Sequence, residues 1–239
     1  MKLKLLTYNL LFGKALPHAQ ELIDTENPDI VCVQELPTAE DKLDYLAKDP
    51  MERAGWTNTF VKFARIFGNA VYVNTERFAC VSSRDEEMPS STYDFVQYLT
   101  KGFSINRRFT ETCFKLKDSG ETFYVYNVHL THLSFVDLRL AQLKKVFEHV
   151  RALGPDARVL IAGDFNLYNG KTELEMLMEQ YGLREATNTL GYTFQHPLYF
   201  YMVKMKLDYV LYRGFTHTST RRFDLNTSDH HAILSEFET

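Results

Sequence analysis

Apolar runs that stop on a charged or amide side chain recur along this chain, and they constrain it more than any other feature. Asn9 ends LKLLTYN, Glu35 ends DIVCVQE, His129 ends FYVYNVH, and Asp164 and Asn166 end VLIAGDFN. Asp208 interrupts KLDYVLY, and Asp229 and His230 precede AILSEF. A run such as DIVCVQEL, apolar without alternation, reads as a strand buried on both faces. A strand holds its terminal residue rigidly, so polar side chains at neighbouring strand ends can meet on one rim. A carboxylate this near a core is costly unless it is paired, hydrogen-bonded or bound to metal. The set of three Asp, one Glu, two Asn and two His suits a hard, oxygen-liganded divalent cation with a base beside it.

Strands and helices mix along the rest of the chain. Helical spacing appears in HAQELIDTE, stopped by Asn27-Pro28, and in KTELEMLMEQYG, ending at Gly182. It is clearest in DLRLAQLKKVFEHV, where Leu140, Leu143, Phe147 and Val150 form one stripe. TAEDKLDYLAK reads as a further helix with Thr38 as N-cap. NTFVKFARI, GNAVYVN, FACVSS, INRRFTETCFKLK and ETFYVYNVHLTH read as strands, the last two joined by a hairpin at KDSG. Phe and Tyr number 18 and 14 against one Trp, which favours strands over a helix bundle. Few strands alternate cleanly with helices. The pattern therefore predicts a four-layer α/β sandwich, two packed and mostly antiparallel sheets flanked by helices, over a doubly wound parallel sheet. No repeat or linker divides the 239 residues, so one domain over residues 1–239 is expected.

A formal net charge of -4 argues against an extended basic nucleic-acid surface but leaves room for a local basic groove. Cys32, Cys80 and Cys113 lie apart, each in an apolar run, and read as buried reduced thiols rather than as a disulfide framework or zinc cluster. MKLKLLTYNLLFG is too short an apolar run to span a membrane and reads as the first strand. A cytoplasmic monomer without a transmembrane segment is the expectation.

Each polar strand end alone has a plainer reading, as a turn, a cap or a solvated loop. In order along the chain, TYN, QE, GNAV, NVHL, GDFN, LDY and SDH resemble the endonuclease/exonuclease/phosphatase superfamily, the DNase I-like fold, in its small phosphodiesterase branch. The resemblance runs from Tyr8-Asn9 to Asp229-His230. It implies Mg²⁺, with Mn²⁺ as a substitute, and a phosphodiester substrate, nucleic acid among the candidates. By resemblance, Glu35 is the principal metal carboxylate, with Asn9 and Asp229 beside the metal. Asp164 orients or deprotonates the attacking water, and Asn166 holds a phosphate oxygen or the metal shell. His230 contacts the phosphate, Asp208 fixes its tautomer, and His129 contacts phosphate or serves the leaving group.

Flanking residues carry weaker readings. Arg107 or Arg108 alternates inward and meets a phosphate, Arg107 being the choice, and Tyr168 lines the substrate cleft. His132 reads as incidental and His231 as structural, facing away from His230. HPLYFYMVKMK is a base- or lipid-contacting segment or a hairpin. The resemblance thus implies a metal-dependent phosphodiesterase acting by metal-assisted attack of water, as in a nuclease or DNA-end-processing enzyme. The alternatives are a sphingomyelinase-like enzyme or phosphatase for lipid or small-molecule phosphates, and a non-catalytic binding protein on the same fold.

Overall fold

Strand alternation builds the molecule. The computed structural model describes residues 2–62, 65–91, 107–132, 134–198, 201–224 and 227–238. One six-stranded sheet holds, in spatial order, β13 (Thr216–Arg222), β14 (Ile233–Glu238), β1 (Lys2–Asn9), β2 (Ile30–Pro37), β4 (Arg65–Asn74) and β3 (Met51–Lys62). The other, also six-stranded, holds β5 (Phe78–Glu87), β6 (Arg108–Leu116), β7 (Thr122–His129), β8 (Val159–Asp164), β12 (Asp208–Arg213) and β9 (Arg184–Glu185). The pairs β1–β2 and β7–β8 are parallel and the others antiparallel. The expected sandwich is therefore observed. The described residues of HPLYFYMVKMK lie in a separate hairpin, β10 (Phe194–Leu198) and β11 (Tyr201–Met205). Phe63, Ala64, Ile105, Asn106, Tyr199 and Phe200, parts of runs read as strands or as that segment, lie outside the described residues.

Successive side chains on a strand face opposite ways. Leu5, Cys32, Val125, Leu160 and Val210 enter the core between the sheets. Leu6, Val31 and Val33 face outward onto α1 (Leu16–Glu26), burying Ala19, Leu22 and Ile23. Val128, Ile161 and Leu211 face outward onto α3 (Val136–Ala152) and α4 (Lys171–Gln180), burying Leu143, Phe147, Val150 and Leu174. Fully burying one such side chain contributes about 1.5–3 kcal/mol.

Along the inward-facing positions the chemistry changes from apolar to polar in one direction. Leu3, Leu5, Thr7 and Asn9 follow one another on β1, and Val125, Asn127 and His129 on β7. Leu160, Ala162 and Asp164 do so on β8, and Tyr212, Val210 and Asp208 on β12. Strand pairing sets these ends side by side: His129 is in register with Asp164, and Asp164 with Asp208. One rim of the inner layer is thus polar. Gly163 lets β8 pass close to β7, since a Cβ there would lie 1.9 Å from the Val128 carbonyl oxygen at a φ of +138.

Two expectations need correction. TAEDKLDYLAK forms only α2 (Glu40–Leu43) and a 3-10 turn, Asp44–Leu46, and its N-cap is Ala39. Thr38 instead lies just past β2 and is tied to β4, its N–H donating to Ile66 O at 3.1 Å. Cys32 and Cys113 are buried, but Cys80 is exposed, because β5 is an edge strand.

Below the rim the two sheets are tied by buried amides. Asn127 Nδ2 donates to Val33 O at 3.0 Å and to Ala70 O at 2.9 Å. Gln34 Nε2 donates to Asn127 Oδ1 at 2.8 Å. An unmade buried hydrogen bond costs about 1–3 kcal/mol per group. Asn127→Ala should therefore destabilise the fold by about 3 kcal/mol. Urea unfolding measures this, and a loss near zero would show that the bridge is dispensable.

Candidate active site

Period-2 alternation places Asn9, His129, Asp164 and Asp208 on the inner face, but it would turn Glu35 outward, since Gln34 faces in. A bulge corrects this. The β2–β4 register shifts between Val33 and Leu36, and Glu35 takes a φ of 56. Bulges commonly re-aim a side chain beside a functional site. Glu35 Oε2 then accepts from Phe12 N at 3.1 Å, while Asn9 Oδ1 accepts from Leu11 N at 3.1 Å. His230 sits just before β14, in an isolated bridge to Phe194, so it escapes the strand's alternation. Ser228 Oγ locks this corner, donating to Asn9 O at 2.7 Å and accepting from His230 N at 3.1 Å.

These residues surround a cleft of about 490 Å³, whose lining includes Glu35, Arg107, His129, Asp164, Asn166, Asp229 and His230. Asp164, 1% exposed, is its hub. Asp164 Oδ2 accepts from Asn9 Nδ2 at 3.0 Å, and Oδ1 accepts from Asn166 N at 2.8 Å. His129 Nε2 lies 3.6 Å and His230 Nε2 3.7 Å from Oδ2. On its far side His230 Nδ1 meets Asp208 Oδ2 at 2.8 Å, which points Nε2 at the cleft. Asp208 is held in turn through its own N–H, donating to Thr193 Oγ1 at 2.9 Å.

The two histidines are biased oppositely. Burial opposes charge on both. At His230 the neighbouring Asp208 and Asp164 outweigh burial, and the pKa rises. At His129 burial dominates, reinforced by Arg107 and His230, and the pKa falls well below the usual value. Its Glu35 neighbour is only 3.9 Å away, yet Asp164 is shared with His230 and does not reverse the effect. Burial, with Asp208 next, raises Asp164 as well, against the pull of His230. Glu35 is also raised, by burial.

Arg107 faces the cleft, its guanidinium 5.2 Å from the Phe60 ring centre, whereas Arg108 turns away to Asp85 and Glu87. His132, read as incidental, belongs to the site: it lines the cleft and its Nδ1 is 2.9 Å from Asn166 Oδ1. Nothing in the spacing of HLTH distinguishes it; the turn after β7 carries it back. Tyr168 reaches the site through His132, with its hydroxyl on that ring and Arg139 over its own ring at 4.8 Å. Arg139 and Gln142 brace this turn by donating to His132 O at 3.1 Å and Thr131 Oγ1 at 2.8 Å. His231 faces away from the cleft, its Nδ1 2.6 Å from Phe223 O.

The charge balance bears on a metal. Glu35, Asp164, Asp208 and Asp229 lie in or under a cleft whose cations are Lys62, Arg107 and the His230 ring. Asp229 Oδ1 is buried with no hydrogen-bond partner among the described residues. Asp164, Asp208 and His230 offer ligand atoms within 4.8 Å of one another, though Asp208 and His230 already bond to each other. An all-oxygen surplus of this kind fits Mg²⁺ or Mn²⁺.

The family model "Endonuclease/Exonuclease/phosphatase family" matches residues 6–230, and the chain belongs to that family. No curated protein matches it in sequence. Among solved structures it resembles an endonuclease/exonuclease/phosphatase from Bacteroides vulgatus (15% identity, TM-score 0.78, 100% of this chain and 99% of that one). It also resembles the human Nocturnin catalytic domain with bound sulfate anion (18%, 0.78, 99% and 93%). A third is TDP2 from D. rerio complexed with single strand DNA product (18%, 0.75, 100% and 99%). At these identities the likeness is one of fold. Among the described residues no helix is long and apolar enough to cross a membrane.

The Asp208–His230 pair generates a pH prediction. Its upward shift means that the charged ring contributes stability in full below the unfolded value of about 6.5 and loses it as pH rises through the folded value. In the metal-free protein the His230 ring should remain an imidazolium at about pH 8, and Asp208→Asn should bring its titration back toward about 6.5. Ring NMR of the two proteins checks this; a neutral ring in the parent at that pH would contradict it.

Proposed function

We propose that this member of the endonuclease/exonuclease/phosphatase family hydrolyses a phosphodiester by metal-assisted attack of water. The observation that carries the reading is one buried carboxylate, Asp164, flanked at 3.6 and 3.7 Å by two histidines of opposite protonation bias. A phosphodiester is anionic, and water attacking it must lose a proton while charge grows on the phosphoryl oxygens. The rim has a group for each demand. Asp164, its proton affinity raised by burial, takes the proton of the attacking water. General-base action of this kind contributes about 10²–10⁴-fold. The charged His230 donates through Nε2 to a phosphoryl oxygen, and Asp208 holds it in that orientation. Neutral His129 and the Asn166 amide supply further donors, each such contact adding about 10²–10³-fold. As the new P–O bond forms, the old ester bond breaks, and the leaving oxygen takes a proton from the His230 imidazolium or from solvent.

Glu35, Asp229 and Asn9 are the proposed metal residues. Asn9 already spends Nδ2 on Asp164 and one lone pair of Oδ1 on Leu11 N, so it offers the metal only its second Oδ1 lone pair. When bound, Mg²⁺ would neutralise phosphate charge that the surrounding carboxylates otherwise repel, and would polarise the phosphorus. The sulfate in the Nocturnin neighbour and the DNA product in the TDP2 neighbour support a phosphate ester, nucleic acid included, as the ligand of this fold.

Hydrolysis of bis-p-nitrophenyl phosphate with Mg²⁺, with Mn²⁺ and with EDTA tests the reading. Activity should need the metal and vanish with the chelator. Glu35→Gln and His230→Ala should each lower kcat by about 10³-fold, with folding retained by circular dichroism. Full activity in EDTA, or in either variant, would overturn the mechanism. His129→Ala should lower kcat by about 10²-fold, and an unchanged rate would return that residue to a structural role.

A further inference from the structure

His132 lines the cleft but has no part in the mechanism above. Its contact with Asn166 supplies one. The Asn166 side chain is 2% exposed, and it borders the same cleft. An asparagine amide carries two N–H donors on one edge and two acceptor lone pairs on the other. Which edge a substrate meets depends on what holds the rest. Nδ2 donates to Leu130 O at 3.1 Å. A reversed amide would set Oδ1 against that carbonyl, two acceptors with no proton between them. Oδ1 is fixed from its own side, since His132 Nδ1 lies 2.9 Å away. That contact is a hydrogen bond only with the proton on Nδ1, because a bare Nδ1 would oppose Oδ1 lone pair to lone pair. Among the described contacts, the second Nδ2 hydrogen then remains for a phosphoryl oxygen. The backbone is fixed as well: Asn166 has a φ of 49, with its N–H on Asp164 Oδ1 at 2.8 Å.

The histidine is held in turn. The Tyr168 hydroxyl lies against the His132 ring and donates to His132 O at 3.1 Å. Arg139, 2% exposed, donates to the same carbonyl at 3.1 Å and lies over the Tyr168 ring at 4.8 Å. Burying a guanidinium is costly. A histidine that merely lined the cleft would not need this support, whereas one that must present Nδ1 to Asn166 does. Resting on the phosphodiesterase reading above, we infer that His132 is a positioning residue, which as the Nδ1–H tautomer holds the Asn166 amide with Nδ2 toward the phosphate.

Two measurements test this, one of them independent of turnover. Long-range proton–nitrogen NMR of the histidine rings reads the tautomer. Burial lowers the His132 pKa, so the ring is neutral at about pH 8. It should carry its proton on Nδ1, and a proton on Nε2 would overturn the assignment. Hydrolysis of bis-p-nitrophenyl phosphate with Mg²⁺ is the second measurement. His132→Leu should lower kcat about tenfold with KM little changed, because the aimed donor acts on charge that grows in the transition state. His132→Asn, whose Nδ2 falls where Nδ1 stood, should recover most of that loss. His132→Gln, whose amide reaches instead to the Nε2 position, should not. In an Asn166→Ala background His132→Leu should cost no further rate, as expected of residues acting through one contact. A loss of the same size persisting there would show that His132 meets the substrate itself. That result, an unchanged rate in His132→Leu, or rescue by Gln and not by Asn would overturn the positioning role. A parent that hydrolyses no phosphodiester would defeat the functional reading instead, and a proton on Nε2 would still overturn the contact.

Discussion

A carboxylate at the inner end of β8 has to be kept in a place that water barely reaches, and the rim is organised around that requirement. Asp164 is 1% exposed. Leaving such a group unsatisfied would cost several kcal/mol. The Asn9 amide reaches it from the other sheet at 3.0 Å, and the Asn166 backbone turns back onto it at 2.8 Å. Two histidines stand just beyond hydrogen-bond distance. Because β7, β8 and β12 put His129, Asp164 and Asp208 in register, any slip of one strand would turn its contribution away from the site. The buried tie through Gln34 and Asn127 guards against such a slip one step below the rim.

Backbone strain is concentrated at the same edge. The described non-glycine residues with positive φ are Leu11, Phe12, Asn27, Glu35 and Asn166. Asn27 closes a helix, and the other four border the cleft. Such conformations cost about 1–3 kcal/mol each and persist where surrounding contacts over-determine them. Here the contacts are the hydrogen bonds that Phe12 and Leu11 donate to Glu35 and Asn9, and the bond from Asn166 N to Asp164. The residues proposed to hold metal and those proposed to hold substrate are therefore mechanically one unit.

Much of this is legible in the chain itself. Apolar strands ending in Asn9, His129, Asp164 and Asp208 obey period-2 alternation, so a shared inner face is what their spacing dictates. Glu35 and His230 could not be placed that way. Glu35 depends on a bulge and His230 on lying outside its strand, so their place at the ends of apolar runs singles them out, and only the likeness to a family pattern gives them roles. His132 escapes such reasoning because the irregular segment after β7 brings it to Asn166, and an irregular segment leaves no periodicity. The helix read at TAEDKLDYLAK shrank because Thr38 bonds to Ile66 in the sheet, a tertiary contact that overrides local propensity. Cys80 is exposed because its strand lies at an edge, and strand order is not written in composition.

The central claim is that one cation and one phosphate share the rim, with the cation held by Glu35. Phosphorus NMR of inorganic phosphate in the presence of the protein and Mn²⁺ tests it most directly. Paramagnetic broadening falls steeply with distance, so phosphate bound beside the ion should broaden strongly in the parent protein and not in Glu35→Gln. Broadening of equal strength in both proteins, or bound phosphate that Mn²⁺ leaves sharp, would contradict the account.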